Sequence, residues 1–82
     1  MKEPTRVEVE IFGEYYVVKG DYPAEYVRQV AQYVNEKMHL LAKRNPRLSG
    51  TKLAVLTALN IADELTRLRA DYEQLLEMIE KA

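Results

Sequence analysis

Two short segments near the start of the chain have the residue patterns of β-strands. Residues 7–11 read Val-Glu-Val-Glu-Ile, and this alternation places the apolar side chains on one face of a strand. Residues 15–19 read Tyr-Tyr-Val-Val-Lys, and aromatic and β-branched residues are favoured in strands. The Gly-Glu pair at 13–14 separates the two segments, and the Gly-Asp pair at 20–21 ends the second. The pattern predicts a β-hairpin.

The next segment has the spacing of an amphipathic helix. Pro23 suits the first helical position, where its missing N–H is not needed. Apolar side chains then recur every three or four residues, at Val27, Val30, Ala31, Val34, Met38 and Leu41. The helix should end at Asn45-Pro46, because the residue before a proline disfavours helical backbone.

A second and longer helix is predicted beyond this break. Ser49 is a suitable N-cap, and the chain from Gly50 to residue 81 contains no proline and no further glycine. At 1.5 Å per residue this helix would be roughly 48 Å long. Between residues 53 and 59 apolar side chains point in nearly every direction. We therefore expect that stretch to be enclosed by the rest of the chain.

From Ala58 onward the apolar residues of this helix follow a heptad repeat. The a positions are Ala58, Leu65, Tyr72 and Ile79, and the d positions are Ile61, Leu68, Leu75 and Ala82. A hairpin and a helix of about six turns cannot cover a helix of about nine turns. These a and d residues, which we call the heptad seam, therefore have no expected intrachain partner from Leu65 to Ile79. A second copy of the chain is the simplest cover.

The positions beside the heptad seam refine this prediction. Glu64 at g can meet Arg69 at e of a second copy in a parallel pair. Leu76 at e and Met78 at g widen the apolar stripe near its end, as a four-helix tip would require. We therefore predict a homodimer that forms a homotetramer. The predicted interface residues are Ile61, Leu65, Leu68, Tyr72, Leu75, Leu76 and Ile79.

Composition limits the function. The 82 residues allow one domain, and the net charge of −1 argues against a globally basic nucleic-acid binder. Cysteine is absent, His39 is the only histidine, and no glycine-rich phosphate loop occurs. We therefore expect no catalytic, cofactor or metal site, and no enzyme.

Residues 1–20 lack a signal-peptide pattern, and no apolar stretch is long enough to cross a membrane. We expect a cytoplasmic protein that binds neither membrane nor nucleic acid.

The predicted elements define an α+β fold, in which a small hairpin-plus-helix head is followed by a long C-terminal helix that forms an intermolecular coiled coil. We expect one structural domain. Residues 1–60 form the ββα head with the start of the second helix, and residues 58–82 form the coiled-coil oligomerisation segment.

Two segments resemble the ZapA family of cell-division proteins. Residues 7–13, Val-Glu-Val-Glu-Ile-Phe-Gly, resemble the family's opening, and residues 52–65, Lys-Leu-Ala-Val-Leu-Thr-Ala-Leu-Asn-Ile-Ala-Asp-Glu-Leu, resemble its second-helix signature. With the Asn45-Pro46 break, the likeness extends from about Val7 to Ile79, and the short chain resembles the Gram-positive form. It implies a dimer that pairs into a tetramer, binds the GTPase FtsZ at the division site and bundles its filaments.

Two sets of polar residues are candidates for the contact with FtsZ. Lys43, Arg44 and Arg47, with Lys52 nearby, gather at the turn between the helices. They form either a basic patch for an acidic partner or an ordinary solvated helix end. Asn60, at c, is a poor helix former within an apolar stretch. Its amide either contacts the partner or forms a hydrogen bond to the head.

The hairpin tip is a weaker candidate. Some family members have a basic residue after the glycine, whereas Glu14 follows Gly13 in this chain. Gly13 is better explained as the residue that permits the turn.

Two other functions remain open from the sequence. A strand, two helices and dimerisation also describe the ribbon-helix-helix class of DNA-binding proteins. Glu8 and Glu10 on the exposed strand face argue against it, since carboxylates repel phosphate. A generic coiled-coil module with a different client is the other alternative.

Overall fold

The computed structural model describes residues 4–81, which form two antiparallel strands followed by two helices. The elements are β1 (Thr5–Ile11), β2 (Glu14–Gly20), α1 (Ala24–Arg44) and α2 (Gly50–Lys81). This order confirms the predicted α+β fold class, with boundaries shifted by one or two residues. Pro23, for example, directly precedes α1 instead of starting it. Ala82, the last predicted d position, lies outside the described residues.

The strands are joined by a two-residue turn at Phe12 and Gly13, one residue earlier than predicted. Both residues have positive φ, 50° and 82° respectively, which suits the twist of a tight hairpin. Glycine adopts this backbone freely, whereas phenylalanine does so at a steric cost. The Phe12 N–H donates to Oδ1 of Asn35 on α1 at 2.8 Å, and the Phe12 ring lies 5.0 Å from the ring of His39. The first helix therefore holds the turn in place.

The two strands are covered unequally by α1. Val7 pairs with Val18 and Val9 with Tyr16, and directly opposed residues share one face of the sheet. On that face Val7 and Val9 are buried, whereas Val18 and Tyr16 are exposed. The helix thus packs on β1 and leaves the equivalent face of β2 largely open.

Helix α1 connects two small apolar clusters. Val7, Val9 and Ala31 form the first, between β1 and α1. Met38, Leu41 and Leu53 form the second, between α1 and α2. The molecule measures 50 × 47 × 15 Å, so in its thin direction it is little more than one layer of structure. No large side chain in residues 4–81 is fully buried.

The connection between the helices is closed by hydrogen bonds from its own residues. Asn45 ends α1, with its backbone N–H 2.9 Å and its side-chain Nδ2 3.0 Å from the carbonyl oxygen of Leu41. Ser49 Oγ accepts from the N–H of Lys52 at 3.3 Å, which confirms Ser49 as the N-cap of α2. Further along α2, the buried Thr57 hydroxyl donates to the carbonyl oxygen of Leu53 at 2.8 Å.

The prediction that residues 53–59 are enclosed on all sides was wrong. Leu53 and Thr57 are buried, and they lie four residues apart on the side of α2 that faces α1. Val55 and Leu59 point elsewhere and are 56% and 64% exposed. These two side chains are exposed because the molecule is little more than one layer thick, so α1 contacts α2 on one side only. Val30, predicted on the buried side of α1, is exposed as well.

The Asn35–Phe12 hydrogen bond should control the stability of the head. In Asn35→Ala the Phe12 N–H loses its acceptor in a partly buried site, and we expect a loss of about 1–3 kcal/mol in the free energy of unfolding. Gln32→Ala is the control, since its side-chain partner Glu36 is exposed. Urea denaturation at one fixed protein concentration measures both, and equal stabilities would contradict the assignment.

Candidate functional site

The heptad seam lies uncovered on α2. Ile61 is half-buried at the edge of the head, and beyond it every seam residue from Leu65 to Ile79 is exposed, with Leu68 at 67%. The flanking Leu76 and Met78 are exposed as well. The expectation that this segment has no intrachain cover is confirmed for the described residues. Such a continuous apolar stripe is a candidate self-association surface.

A polar cluster fixes α2 against α1 where the helix leaves the head. The Glu64 carboxylate forms an ion pair with Lys37 Nζ and accepts a hydrogen bond from the Tyr33 hydroxyl. The Lys37 ammonium also lies 5.6 Å from the centre of the Tyr33 ring. We expected Glu64 to meet Arg69 of a second copy, whereas the structure pairs it within its own chain. The cluster thereby sets the direction in which α2 projects.

The three side chains shift one another's ionisation. The hydrogen bond from Lys37 and then that from Tyr33 lower the pKa of Glu64 below its ordinary 4.5. The Glu64 carboxylate in turn raises the pKa of Lys37 and the pKa of Tyr33. The charged form of Glu64 is therefore the one that the folded chain favours.

The basic residues at the turn between the helices are all exposed. Lys43 and Arg44 lie in the last turn of α1, Arg47 follows in the connection, and Lys52 lies in the first turn of α2. The first turn of α2 contains no acidic residue. Among residues 4–81 none of these four cations forms an ion pair with a carboxylate of the chain. The turn therefore presents positive charge that the chain itself does not neutralise.

Asn60 is half-buried and lies apart from this basic turn. It sits between Thr57 and Glu64, on the side of α2 that faces α1, roughly 15 Å along the helix from Gly50. A hydrogen bond from its amide to the head, one of the two roles expected for Asn60, is not formed within the described residues. The structure thus brings the basic residues together and leaves Asn60 as a separate polar position.

Sequence reasoning missed exposed apolar residues in the head. An exposed stripe on α1 is formed by Tyr26, Val30, Tyr33 and Leu40. Their spacing of four, three and seven residues is typical of one helix face, but the apolar pattern predicted for α1 left the tyrosines out. On β2, Tyr16 and Val18 are exposed beside the start of α2. The sequence feature that could have indicated these exposed residues is that β2 has apolar residues on both of its faces.

The described residues offer no group of acidic, histidine or cysteine side chains that could hold a metal ion. Nor does any helix among them have the length and apolar character needed to cross a membrane.

Placing a charge in the middle of the heptad seam should disrupt self-association. In Leu68→Glu each copy would bury a carboxylate without a partner, and we expect the dissociation constant to rise at least about hundredfold, equivalent to about 2.8 kcal/mol. Thr66→Glu introduces the same charge two residues away, at an outer b position. Sedimentation equilibrium measures both variants, and a Leu68→Glu assembly as tight as the parent would rule out the seam.

The interactions of Glu64 with Lys37 and Tyr33 should make the free energy of unfolding depend on pH. Because the folded pKa of Glu64 is below 4.5, its contribution is present above pH 4.5 and is lost as the pH falls through the folded value. Glu64→Gln should therefore be less stable than the parent at pH 7, and the difference should shrink towards pH 3. Urea denaturation across this range measures it, with Glu73→Gln as the control for loss of an exposed carboxylate. A difference independent of pH would contradict the ion pair.

Comparison with known proteins agrees with this architecture. Residues 7–82 match the family described as "Cell division protein ZapA". A protein of that name from Shouchella clausii is 56% identical over 69 residues, covering 83% of this chain and 87% of the relative. One from Geobacillus kaustophilus is 44% identical over 77 residues, covering 94% and 85%. A solved structure described as a ZapA mutant dimer from Geobacillus stearothermophilus is 39% identical, with a TM-score of 0.74 over 98% of this chain and 93% of that one. The chain therefore belongs to the ZapA family of cell division proteins, as its sequence resemblance indicated.

Proposed function

We propose that this chain is a non-enzymatic adaptor that binds FtsZ filaments in the cytoplasm and bundles them at the division ring. Membership of a cell-division family supports the setting. The observation that carries the proposal is the separation of two surfaces on one chain. An exposed apolar seam lies on the projecting part of α2, and an unneutralised basic turn lies on the head. A cross-linker needs both an assembly surface and a separate adhesive surface.

Self-association is the better supported half of this proposal. Family membership and the dimeric relative from Geobacillus stearothermophilus both favour it. We place the interface at Ile61 and along the heptad seam, and we place the contact between dimers at Leu76. Leu76 and the neighbouring Met78 are exposed beside the seam, so they extend the apolar surface beyond what a two-stranded coiled coil covers. A homotetramer would cover them.

The FtsZ contact is placed at Lys43, Arg44 and Arg47, with Asn60 as a polar anchor. The three cations are exposed, so each contact with an acidic surface would be weak and sensitive to salt. The Asn60 amide has no hydrogen-bond partner among residues 4–81, which leaves it available to a partner. An oligomer presents several copies of this weak surface, and avidity then holds neighbouring filaments together.

An alternative role as a ribbon-helix-helix DNA-binding protein is disfavoured by the sheet. Glu8 and Glu10 are exposed on the face of β1 opposite the buried valines. A ribbon with these carboxylates would repel the DNA backbone. A coiled-coil module for another client would be indicated if FtsZ did not bind.

The test is co-sedimentation with FtsZ polymerised by GTP. We expect the parent protein to increase the pelleted FtsZ and thicken its bundles. The double variant Arg44→Glu with Arg47→Glu should abolish bundling without changing the oligomer, because it reverses the charge of the turn only.

The matched control is Lys19→Glu with Arg28→Glu. It makes the same change in net charge at two exposed positions of the head that are distant in sequence from the turn. Normal bundling by the double-arginine variant at low salt would show that the turn is merely solvated. Equal loss in both double variants would point to net charge instead of a specific surface.

A further inference from the structure

A narrow groove of about 220 Å³ lies along the free edge of β1, between the strand and α1. Its strand side is formed by residues 8–10, and its helix side is formed by Arg28, Ala31, Gln32 and Asn35. Among the residues that the structure describes, none of β2 or α2 lines it. Tyr33 and Lys37, through which α1 contacts α2, lie on another side of α1. The groove is therefore separate from the heptad seam and from the basic turn.

Backbone groups of β1 point outward along this edge. The two-residue turn makes Ile11 and Glu14 the hydrogen-bonded pair that closes the hairpin. Hydrogen-bonded and non-hydrogen-bonded pairs alternate from there, so Glu10 and Glu8 direct their N–H and C=O groups away from β2. No hydrogen bond within residues 4–81 uses these groups. The edge is thus a template on which another strand can form a ladder.

The outer face of β1 has a defined order of charge. Arg6, Glu8 and Glu10 follow one another on the face opposite the buried valines, and all three are exposed. None of them forms an ion pair within residues 4–81. The Glu10 carboxylate raises the pKa of Tyr15, chiefly through a hydrogen bond to that hydroxyl, and this neutral partner leaves the negative charge of Glu10 in place. An added strand therefore needs the opposite charge beside each of the three.

We propose that the free edge of β1 binds an extended segment of another protein, which adds an antiparallel third strand and has the charge order Lys-x-Lys-x-Glu. In that direction the two lysines lie opposite Glu10 and Glu8, and the glutamate lies opposite Arg6. Antiparallel pairing is preferred because it is slightly more stable per residue than parallel pairing. A parallel segment would need the reverse order of charge.

The residues between the charged ones point towards α1, since successive side chains of a strand lie on opposite faces. Ala31 is only 8% exposed and its side chain is short, so the wall leaves room there. The Asn35 Nδ2 group forms no hydrogen bond within residues 4–81 and can donate to a hydroxyl. Arg28 lies near Glu25, at 3.9 Å, on the helix side of the sheet and away from the lysines. Threonine, which favours strands, suits these positions. The inference depends on neither self-association nor FtsZ.

Backbone methylation of a synthetic peptide tests the ladder. The probe is fluorescein-labelled Thr-Lys-Thr-Lys-Thr-Glu-Thr amide, titrated with the full chain at low salt and followed by fluorescence polarisation. In the antiparallel pair the lysine N–H groups point at β1, whereas those of the two threonines between charged residues point away. Methylating both lysine backbone nitrogens should weaken binding at least about tenfold. Methylating those two threonine nitrogens is the matched control and should leave binding unchanged. Equal weakening, or no binding of the unmethylated peptide, would overturn the proposal.

Neutral variants of the strand test the charge order. Glu8→Gln with Glu10→Gln should weaken binding of the unmethylated peptide at least about fivefold, because both lysines lose their opposed carboxylates. Glu73→Gln with Glu80→Gln removes the same charge from exposed positions of α2 and should leave binding unchanged. Circular dichroism establishes that both double variants are folded. Equal weakening in the two would reduce the interaction to net charge and overturn the proposal.

Amide hydrogen exchange measured by NMR locates the added strand. The N–H groups of Glu8 and Glu10 point outward on the β1 edge, and by the same alternation those of Tyr15 and Val17 point outward on the β2 edge. Saturating peptide should slow exchange of the first pair at least about tenfold and leave the second pair unchanged. Protection of Tyr15 and Val17 instead would place the peptide on β2 and overturn the assignment. A failure of FtsZ bundling would leave all three measurements unaffected.

Discussion

Within residues 4–81, the 32-residue helix α2 has only a 21-residue helix and a two-stranded sheet to lie against. Because α1 itself packs on β1, its remaining surface reaches α2 only between Leu53 and Glu64. The rest of α2 extends beyond any intrachain cover. Burial of apolar surface is the main favourable term in folding, so the exposed residues represent stabilisation that this chain can gain only from another molecule. The shortage of cover is what makes association part of the fold.

The same shortage of intrachain cover makes the polar cluster at Glu64 important for the orientation of α2. Beyond Glu64 no apolar contact within the described chain restrains α2, so the ion pair with Lys37 and the hydrogen bond from Tyr33 are the last contacts that orient it. Partly exposed ion pairs contribute modestly to stability. Here the cluster contributes to direction more than to stability, since a small change in angle at the head displaces the far end of a long helix by many ångströms.

The sequence predicted the elements well because their signals are local. Alternation in residues 7–11, the three-and-four spacing of α1, Pro46 and the heptads of α2 each depend on neighbouring residues alone. The enclosure of residues 53–59 was predicted wrongly because it depends on how many faces of α2 the other elements reach. The pairing of Glu64 with Lys37 was missed for a similar reason, since the contact joins residues 27 positions apart. The roles proposed for Asn60 and for the basic residues at the turn remain predictions, because these roles depend on the surface of another molecule.

The head and the projecting helix are continuous, and this bears on the proposed role as a filament cross-linker. If the heads were joined to the coiled coil flexibly, two basic turns could both bind one filament, and no bundle would form. The contacts of Glu64 with Lys37 and Tyr33 would instead hold each head in a fixed direction relative to α2, so the spacing and orientation of the proposed FtsZ-binding surfaces would become properties of the assembly. Weak, salt-sensitive contacts are sufficient under that geometry. Once one head is bound, the effective concentration of the next head is high only at filament sites whose spacing matches that of the heads. Rigidity where α2 leaves the head would thus favour binding between filaments over binding along one filament.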